Sequence, residues 1–433
     1  MIHNFQNIWL AITARSIALS VLALASLFLN VAQAETPGHA PGHDESDQSI
    51  LLKASRIFDG NKMHSNAALL IDGNKIAKLG PSDSISDHAA TVVDLGDSTI
   101  LPGFIELHSH IVFQHVPRRV LLEHGVTTAR DVGGDLLAPS GGQGVLRLLS
   151  SGPILTAKGG YPLSVFGHGG HHHGSGKIAI GVETEEQARQ AVRHLIEGGA
   201  SFIKIALEPG GEPGAPWTMG HHGGVSSAWP LLSLEIVKAI VDEAHSLKRR
   251  VTAHVSEDVG VALALDAGVD EWAHVPCMKI SDALLKRAVQ QDVKIVSTLD
   301  TLSACHGIHH NAKRLAELGA DFYYGAEVAH VDIPWGIDAR ELQLMHQLTG
   351  MTALELFHTA TAKAGRYLGL EPLGQLTPGA PADLIAVRGN ALHNLKRLEY
   401  PDLVMSGGHW IVNNYSGAQS EPESAPHRPA WNH

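Results

Sequence analysis

Short apolar runs alternate with amphipathic stretches through the middle of this chain, and that alternation restricts the fold more than any other feature. The runs 104–108, 126–131, 154–157, 202–206, 251–254, 271–274, 294–298 and 321–327 have the length and composition of buried strands. Each is followed by helix-like sequence. In residues 184–199, Thr184 and Gln187 form a capping-box pair ahead of an amphipathic run, and Gly198 and Gly199 end it. Thr352 and Glu355 repeat the device. Eight strand and helix alternations over roughly 230 residues have the order and size of an α/β protein of the (β/α)8 TIM-barrel type. A doubly wound open sheet would instead carry a glycine-rich phosphate turn after its first strand. Histidines occupy that turn here.

The flanks have a different character. Runs such as "AALLIDGNKIAKLG" near the start and "GQLTPGAPADLIAV" near the end are short, β-rich and punctuated by turn residues. Residues 49–101 and 366–416 are therefore expected to build one small β-sandwich from both ends of the chain, around a barrel at 102–365. Upstream, Arg15 precedes an uncharged stretch that ends in Ala32-Gln33-Ala34. This is the layout of a cleavable export signal over 1–34, cut after Ala34, which implies a periplasmic or secreted protein with no membrane attachment after cleavage. Asn30 and Gln33 interrupt the apolar run, leaving it short of the roughly 20 residues that span a bilayer. Residues 35–48 read as a flexible linker rich in Pro, Gly, His and Asp, and 417–433 as a disordered tail.

With 44% hydrophobic and 18% charged residues, the chain can bury a full-sized core. Its net charge of −12 and lack of an extended basic tract exclude a nucleic-acid footprint and favour a small molecule or small peptide as partner. Self-association into a homo-oligomer is compatible with this reading. Two cysteines, Cys277 and Cys305, are too few for a disulfide framework; an exported protein could pair them, and buried thiols are the alternative.

The chemistry concentrates at the ends of the expected strands. "PGFIELHSH" ends the first strand with His108 and His110, two apart and so on one face. In a chain of 29 histidines such a pair is weak evidence alone. The fourth strand, "SFIKIAL", places Lys204 inside an apolar run, where a bare ammonium is costly to bury. It is either paired with a carboxylate or carbamylated, the added CO2 making it an anionic two-oxygen ligand. The fifth and sixth strands end in "VTAHV" and "DEWAHV", so His254 and His274 stand 20 residues apart, one helix and one strand. Ligand-type residues ending strands one, four, five and six all face the end of a barrel where catalytic groups sit.

"LPGFIELHSH", "GVTTARDVGG", "FIKIAL", "VTAHV", "AGVDEWAHV" and "LGQLTPGAPADLIAV" resemble, in combination, the signature segments of the amidohydrolase superfamily, nearest its imidazolonepropionase and prolidase-like branch. The match runs in register from about Ile50 to about Asn413. The resemblance implies two divalent metal ions: His108 and His110 hold the first, His254 and His274 the second, and carbamylated Lys204 bridges them. Zinc suits such an imidazole-rich set, and lowers the pKa of a bound water from 15.7 to about 7.

Two segments depart from the pattern. The family ends its eighth strand with Gly-Thr-Asp, whose Asp binds metal and takes the water's proton. "YYGAEVAHVDIPWGIDAREL" places Glu327 at that position, with Asp332 as the fallback in the loop. After strand three, where relatives often show Gly-Gly-His, "GGYPLSVFGHGGHHHG" puts Tyr161 in the His place; Tyr161 and His168 are candidate substrate-binding residues. Loop histidines at 171–173, 221, 222, 306, 309 and 310 fall on the same face, as extra ligands or as solvated residues. The implied activity is hydrolysis of a C–N bond in a small peptide or cyclic amide. Lactone or ester hydrolysis, and a non-catalytic metal- or ligand-binding protein on the same barrel, are the alternatives, the latter motivated by the altered Asp. The export signal predicts a mature chain beginning at Glu35. Intact mass of protein recovered from periplasm or medium measures this, and recovery of only the full-length chain in membranes would show an uncleaved anchor instead.

Overall fold

A computed structural model describes residues 49–85, 90–166, 177–210, 229–330 and 332–415. The expected export signal, linker and tail, together with His168, His171 to His173, His221 and His222, lie outside the described residues. Strands β1 (Ser49–Phe58), β2 (Met63–Asp72), β3 (Lys75–Pro81), β4 (Ala90–Asp94) and β5 (Ser98–Pro102) open the chain. The central strands are β6 (Phe104–Ser109), β7 (Val126–Asp131), β8 (Ser140–Gly142), β9 (Val145–Ser150), β10 (Ile154–Ala157), β11 (Ala179–Val182), β12 (Ile203–Leu207), β13 (Val251–Val255), β14 (Glu271–Trp272), β15 (Lys294–Val296) and β16 (Asp321–Tyr323). Strands β17 (Leu384–Arg388), β18 (Leu403–Ser406) and β19 (His409–Asn413) close it.

Both ends of the chain enter one sheet, in the order β19-β18-β17-β5-β1-β2-β3, with β4 branching off β1. The long β1 makes the branch: its first half pairs β4 over Ser49 to Lys53 and its second half pairs β5 at Arg56 and Ile57. The two-ended domain is thus a single branched sheet. Leu52, Ile57, Leu69, Ile100, Leu384 and Met405 form its main core, while Leu51, Ala68 and Ile85 pack in a separate cluster.

The central strands form a seven-stranded parallel sheet, β11-β10-β12-β13-β14-β15-β16, and a four-stranded sheet, β6-β7-β9-β8. Two seams join them. A parallel bridge links Ser109 to Val328, flanked by His110 N–H to Val328 O at 2.9 Å and Val328 N–H to His108 O at 3.1 Å. On the other side Ser201 N–H donates to Ser150 O at 2.9 Å. β12 and β13 are buried at every residue, as strands covered on both faces must be, which is why their sequences lack polar alternation.

Several strand expectations need correction, the run 271–274 among them, since its ladder ends at Trp272. The third strand has two parts: β9 pairs β7 and β10 pairs β12, with Ser151-Gly152-Pro153 between them. Gly152 has φ +67°, so the chain turns where the sequence shows a break. The runs 294–298 and 321–327 also leave their ladders early, at Val296 and Tyr323. Thr298 (φ +40°) and Glu327 (φ +61°) adopt left-handed backbone that no strand ladder accommodates.

Helices cover the sheets as their periodicity requires. Helix Glu185–Glu197 buries Ala188, Val192 and Leu195, one stripe at helical spacing, and Thr184 Oγ1 accepts from Gln187 N at 3.2 Å. Thr352 and Glu355 complete a reciprocal capping box. Among the described residues no helix is long and apolar enough to cross a membrane.

Cys277 and Cys305 form a disulfide, buried, with Cα atoms 5.1 Å apart and a sequence separation of 28. It joins the loop after β14 to the loop after β15. A loop of this length implies a stabilisation of about 3–4 kcal/mol, mainly through the unfolded chain. Replacing both cysteines by serine is predicted to lower the apparent Tm by several degrees; an unchanged melting curve would mean that the bond does not form in the folded protein.

Candidate metal centre

The site is assembled where β6, β12, β13, β14, β15 and β16 end. Strand alternation carries His108 and His110 to one face of the first strand, and their Nε2 atoms converge at 3.3 Å. His108 Nδ1 lies 2.8 Å from Ala273 O; a carbonyl only accepts, so Nδ1 holds the proton and Nε2 keeps its lone pair. His274 Nδ1 lies 3.0 Å from Thr298 Oγ1 and 3.8 Å from Glu327 Oε2, while Glu327 Oε1 is 3.9 Å from His110 Nε2. His108, His274 and Glu327 each offer a ligand atom within 4.8 Å of the others. The His254 ring stands 4.8 Å from that of His274 and 4.8 Å from that of Tyr161, so both are drawn to the same cluster.

Burial sets the protonation of these groups. It holds His108 and His274 well below the usual imidazole range, with Lys204 adding to the effect on both. His110 is pushed down to about 3, mostly by burial and in part by the neighbouring Lys204, His330 and His254. Neutral imidazole is the form that binds metal. Lys204, 2% exposed, is pushed down to about 7 by burial, against the opposing pull of Glu327 and Glu271. Burial raises Glu327, and His330, Lys204 and His254 oppose it.

Two polar atoms test whether this donor set fits a cation. Glu327 Oε2 and His110 Nδ1 are buried without a hydrogen-bond partner. An unpaired buried carboxylate oxygen is costly, and a divalent ion among the neutral imidazoles would satisfy it. The residues present fit such an ion. Asp332, the fallback for Glu327, is exposed and lies outside the cluster.

Further residues hold the ligands and were not singled out from the sequence. Glu106 accepts from the N–H groups of His108 (2.7 Å) and Ala326 (3.0 Å), tying the first strand to the turn before Glu327. Asp131 accepts from Val112 N at 3.0 Å and fixes the loop beyond His110. Glu208 lies 3.0 Å from His254 Nε2, and Thr298 holds His274. A sequence signal existed for two of them. Glu106 stands two residues before His108 and Glu208 four after Lys204, on the faces those strands turn to the site. His330 N–H returns to Glu327 O at 3.0 Å, and its imidazole bears electrostatically on His110, His274 and Glu327. Of the histidines expected in the loop after strand seven, His306 lies in that disulfide-linked loop, whereas His309 and His310 stand in the first turn of the helix Ile308–Glu317; none of the three joins the cluster.

Residues 99–411 match the Amidohydrolase family, more than half of the sequence, and the chain belongs to that family. It is similar to ochratoxinase of Aspergillus niger, at 30% identity over 293 residues. That alignment takes in 63% of this chain and spans 57% of the length of the relative. It is also similar to imidazolonepropionase of Nocardia farcinica, at 24% identity over 359 residues, covering 75% of this chain and 86% of that one. Among solved structures, a Xaa-Pro dipeptidase with methionine bound in its active site superposes with a TM-score of 0.67 at 21% identity, over 84% of this chain and 99% of that one.

Gly325 is where the first and last strands press most closely. A Cβ there would stand 2.4 Å from Val296 Cγ1, 3.2 Å from His108 Cβ and 3.3 Å from Glu106 Oε1. Overpacking of this kind costs about 1–3 kcal/mol. Gly325→Ala is predicted to lower both the Tm and the zinc content of the purified protein; full retention of both would show that the seam is looser than described.

Proposed function

We propose that this protein is a metal-dependent hydrolase that cleaves a C–N bond in a small peptide or cyclic amide. The observation that carries this reading is the buried cluster of neutral imidazoles around a carboxylate oxygen that lacks a donor, at the end where barrel enzymes place their chemistry. Membership of the amidohydrolase family and the named relatives support it. The proposal includes closure of the two central sheets into a (β/α)8 barrel, for which the seams at Ser109–Val328 and Ser150–Ser201 are the support. It also includes export to the periplasm or medium through residues 1–34.

In this reading His108 and His110 would hold one ion and His254 and His274 a second, with Lys204, as its carbamate, an anionic ligand beside them. An amine held at about 7 supports the last point, because a substantial fraction is unprotonated at neutral pH, the form that attacks CO2. Two zinc ions bound there would supply an acidified water and polarise the scissile carbonyl. Glu327 then accepts the water's proton as the C–O bond forms, and delivers it to the amine nitrogen as the C–N bond breaks. Its backbone is left-handed, and its carboxylate stands 3.9 Å from His110 Nε2 and 3.8 Å from His274 Nδ1.

A positioned general base is typically worth about 100 to 10,000-fold in rate. Glu327→Gln is predicted to lose turnover by that order and Glu327→Asp far less. Steady-state kinetics of the zinc-loaded protein on dipeptides, N-acyl amino acids, cyclic amides and lactones measures this. Turnover of lactones alone would overturn the C–N assignment, and near-normal turnover by Glu327→Gln would remove this residue as the base. Lys204→Ala is predicted to reduce bound zinc below two per chain in bicarbonate; unchanged metal content would sink its bridging role.

A further inference from the structure

Glu208 follows β12 directly and is buried, with no part of its carboxylate reaching solvent. Both of its oxygens are engaged. Oε1 accepts from Gly210 N at 2.9 Å, and Oε2 lies 3.0 Å from His254 Nε2. The contact is built between neighbouring strands, since Ala206 pairs with His254 and Leu207 with Val255. The turn Glu208-Pro209-Gly210 is held from outside by Trp229, whose backbone N–H donates to Pro209 O at 2.5 Å and whose indole packs over Gly210. Gly210 has φ +75°, and a Cβ there would meet Trp229 Cδ2 at 2.5 Å. The same indole stacks on Tyr161 at 5.7 Å, and Tyr161 leans on the His254 ring at 4.8 Å. Trp229 therefore backs both groups that grip His254, the carboxylate at its edge and the phenol ring at its face.

Glu208 takes the Gly210 N–H on one oxygen and meets His254 Nε2 with the other as a second acceptor, so Nε2 of His254 carries the proton and Nδ1 keeps the lone pair. His108 is the reverse, its Nδ1 proton being taken by Ala273 O. We propose that Glu208 is a positioning residue: it locks His254 as the Nε2–H tautomer, presents Nδ1 to the second metal and makes that imidazole a stronger donor, thereby setting the affinity of the second site. The proposal rests on the metal-site reading above. Carboxylates behind metal-binding imidazoles typically contribute about 10–100-fold to metal affinity.

The test uses the full mature chain with zinc as the probe. Nitrogen-15 imidazole spectra of metal-free wild type should give the Nε2–H pattern for His254, and Glu208→Leu should shift it toward a mixture of tautomers. Zinc titration against a competing chelator should show one of two sites loosened about 10–100-fold in Glu208→Gln, the same site that His254→Ala removes, with the other unmoved. Glutamine keeps the shape but offers one acceptor oxygen for two donors, so this variant remains informative if the leucine one misfolds. In a His254→Ala background, adding Glu208→Gln should change zinc binding little, whereas a merely structural role would add its full loss again. Unchanged zinc affinity in Glu208→Gln, or an equal loss in both backgrounds, overturns the proposal. A wild type that binds no zinc yet has the Nε2–H tautomer, lost in Glu208→Leu, overturns the metal reading and upholds the hold of Glu208 on His254.

Discussion

The site depends on a single buried carboxylate, that of Glu106, which accepts backbone N–H groups from the first central strand and from the turn that ends the last. Burial pushes this carboxyl up to about 8, and the His108 and Ala326 N–H groups pull against that rise. Its position is thus set by directional hydrogen bonds in a medium that penalises losing them. Those two bonds fix where His108 starts and where Glu327 follows. Gly325 leaves the space for the approach, and Asp131 and Thr298 hold the neighbouring turns. The proposed metal ligands are therefore carried on backbone whose path is fixed by groups outside the His108, His274 and Glu327 cluster.

Charge inside the central strands follows the same economy. Arg130 meets Glu271 through two parallel contacts of 2.9 and 2.5 Å, both residues being fully buried, and Arg130 Nε donates to Leu107 O at 2.8 Å. This bidentate pair is a geometry in which opposite charges tolerate burial. Lys204 feels the pair from one side and Glu327 from the other, and burial still outweighs both carboxylates. A lysine in that position is poised as a neutral amine, in contrast to Arg130, whose guanidinium stays charged.

The sequence was most legible where period and burial agree. The strands that carry His108, Lys204 and His254, and the short β14 just before His274, could be read because alternation points side chains one way and the intervening helices have regular length. Val126–Asp131 and Ile154–Ala157 were expected at their observed bounds. Legibility failed where the backbone leaves regular dihedrals. Nothing in "STLD" or "YYGAEV" announces positive φ at Thr298 or Glu327, residues with no intrinsic preference for that region, so both strands read too long. β9 was hidden because Ser-Ser-Gly-Pro looks like the end of a connection and not a bend within one strand. Glu106 and Glu208 carry a period-two signal, but a carboxylate beside a ligand reads equally well as a surface residue until its partners across the chain are known. The pairing of Cys277 with Cys305 likewise depended on which loops the fold brings together.

Crystals of the mature protein grown with zinc and bicarbonate, with diffraction recorded on both sides of the zinc absorption edge, test the central claim most directly. The account predicts two anomalous peaks per chain, one beside His108 and His110 and one beside Nδ1 of His254 and His274, with Lys204 and Glu327 in contact with the pair. Zinc bound only elsewhere on the chain, with this cluster empty, would contradict it.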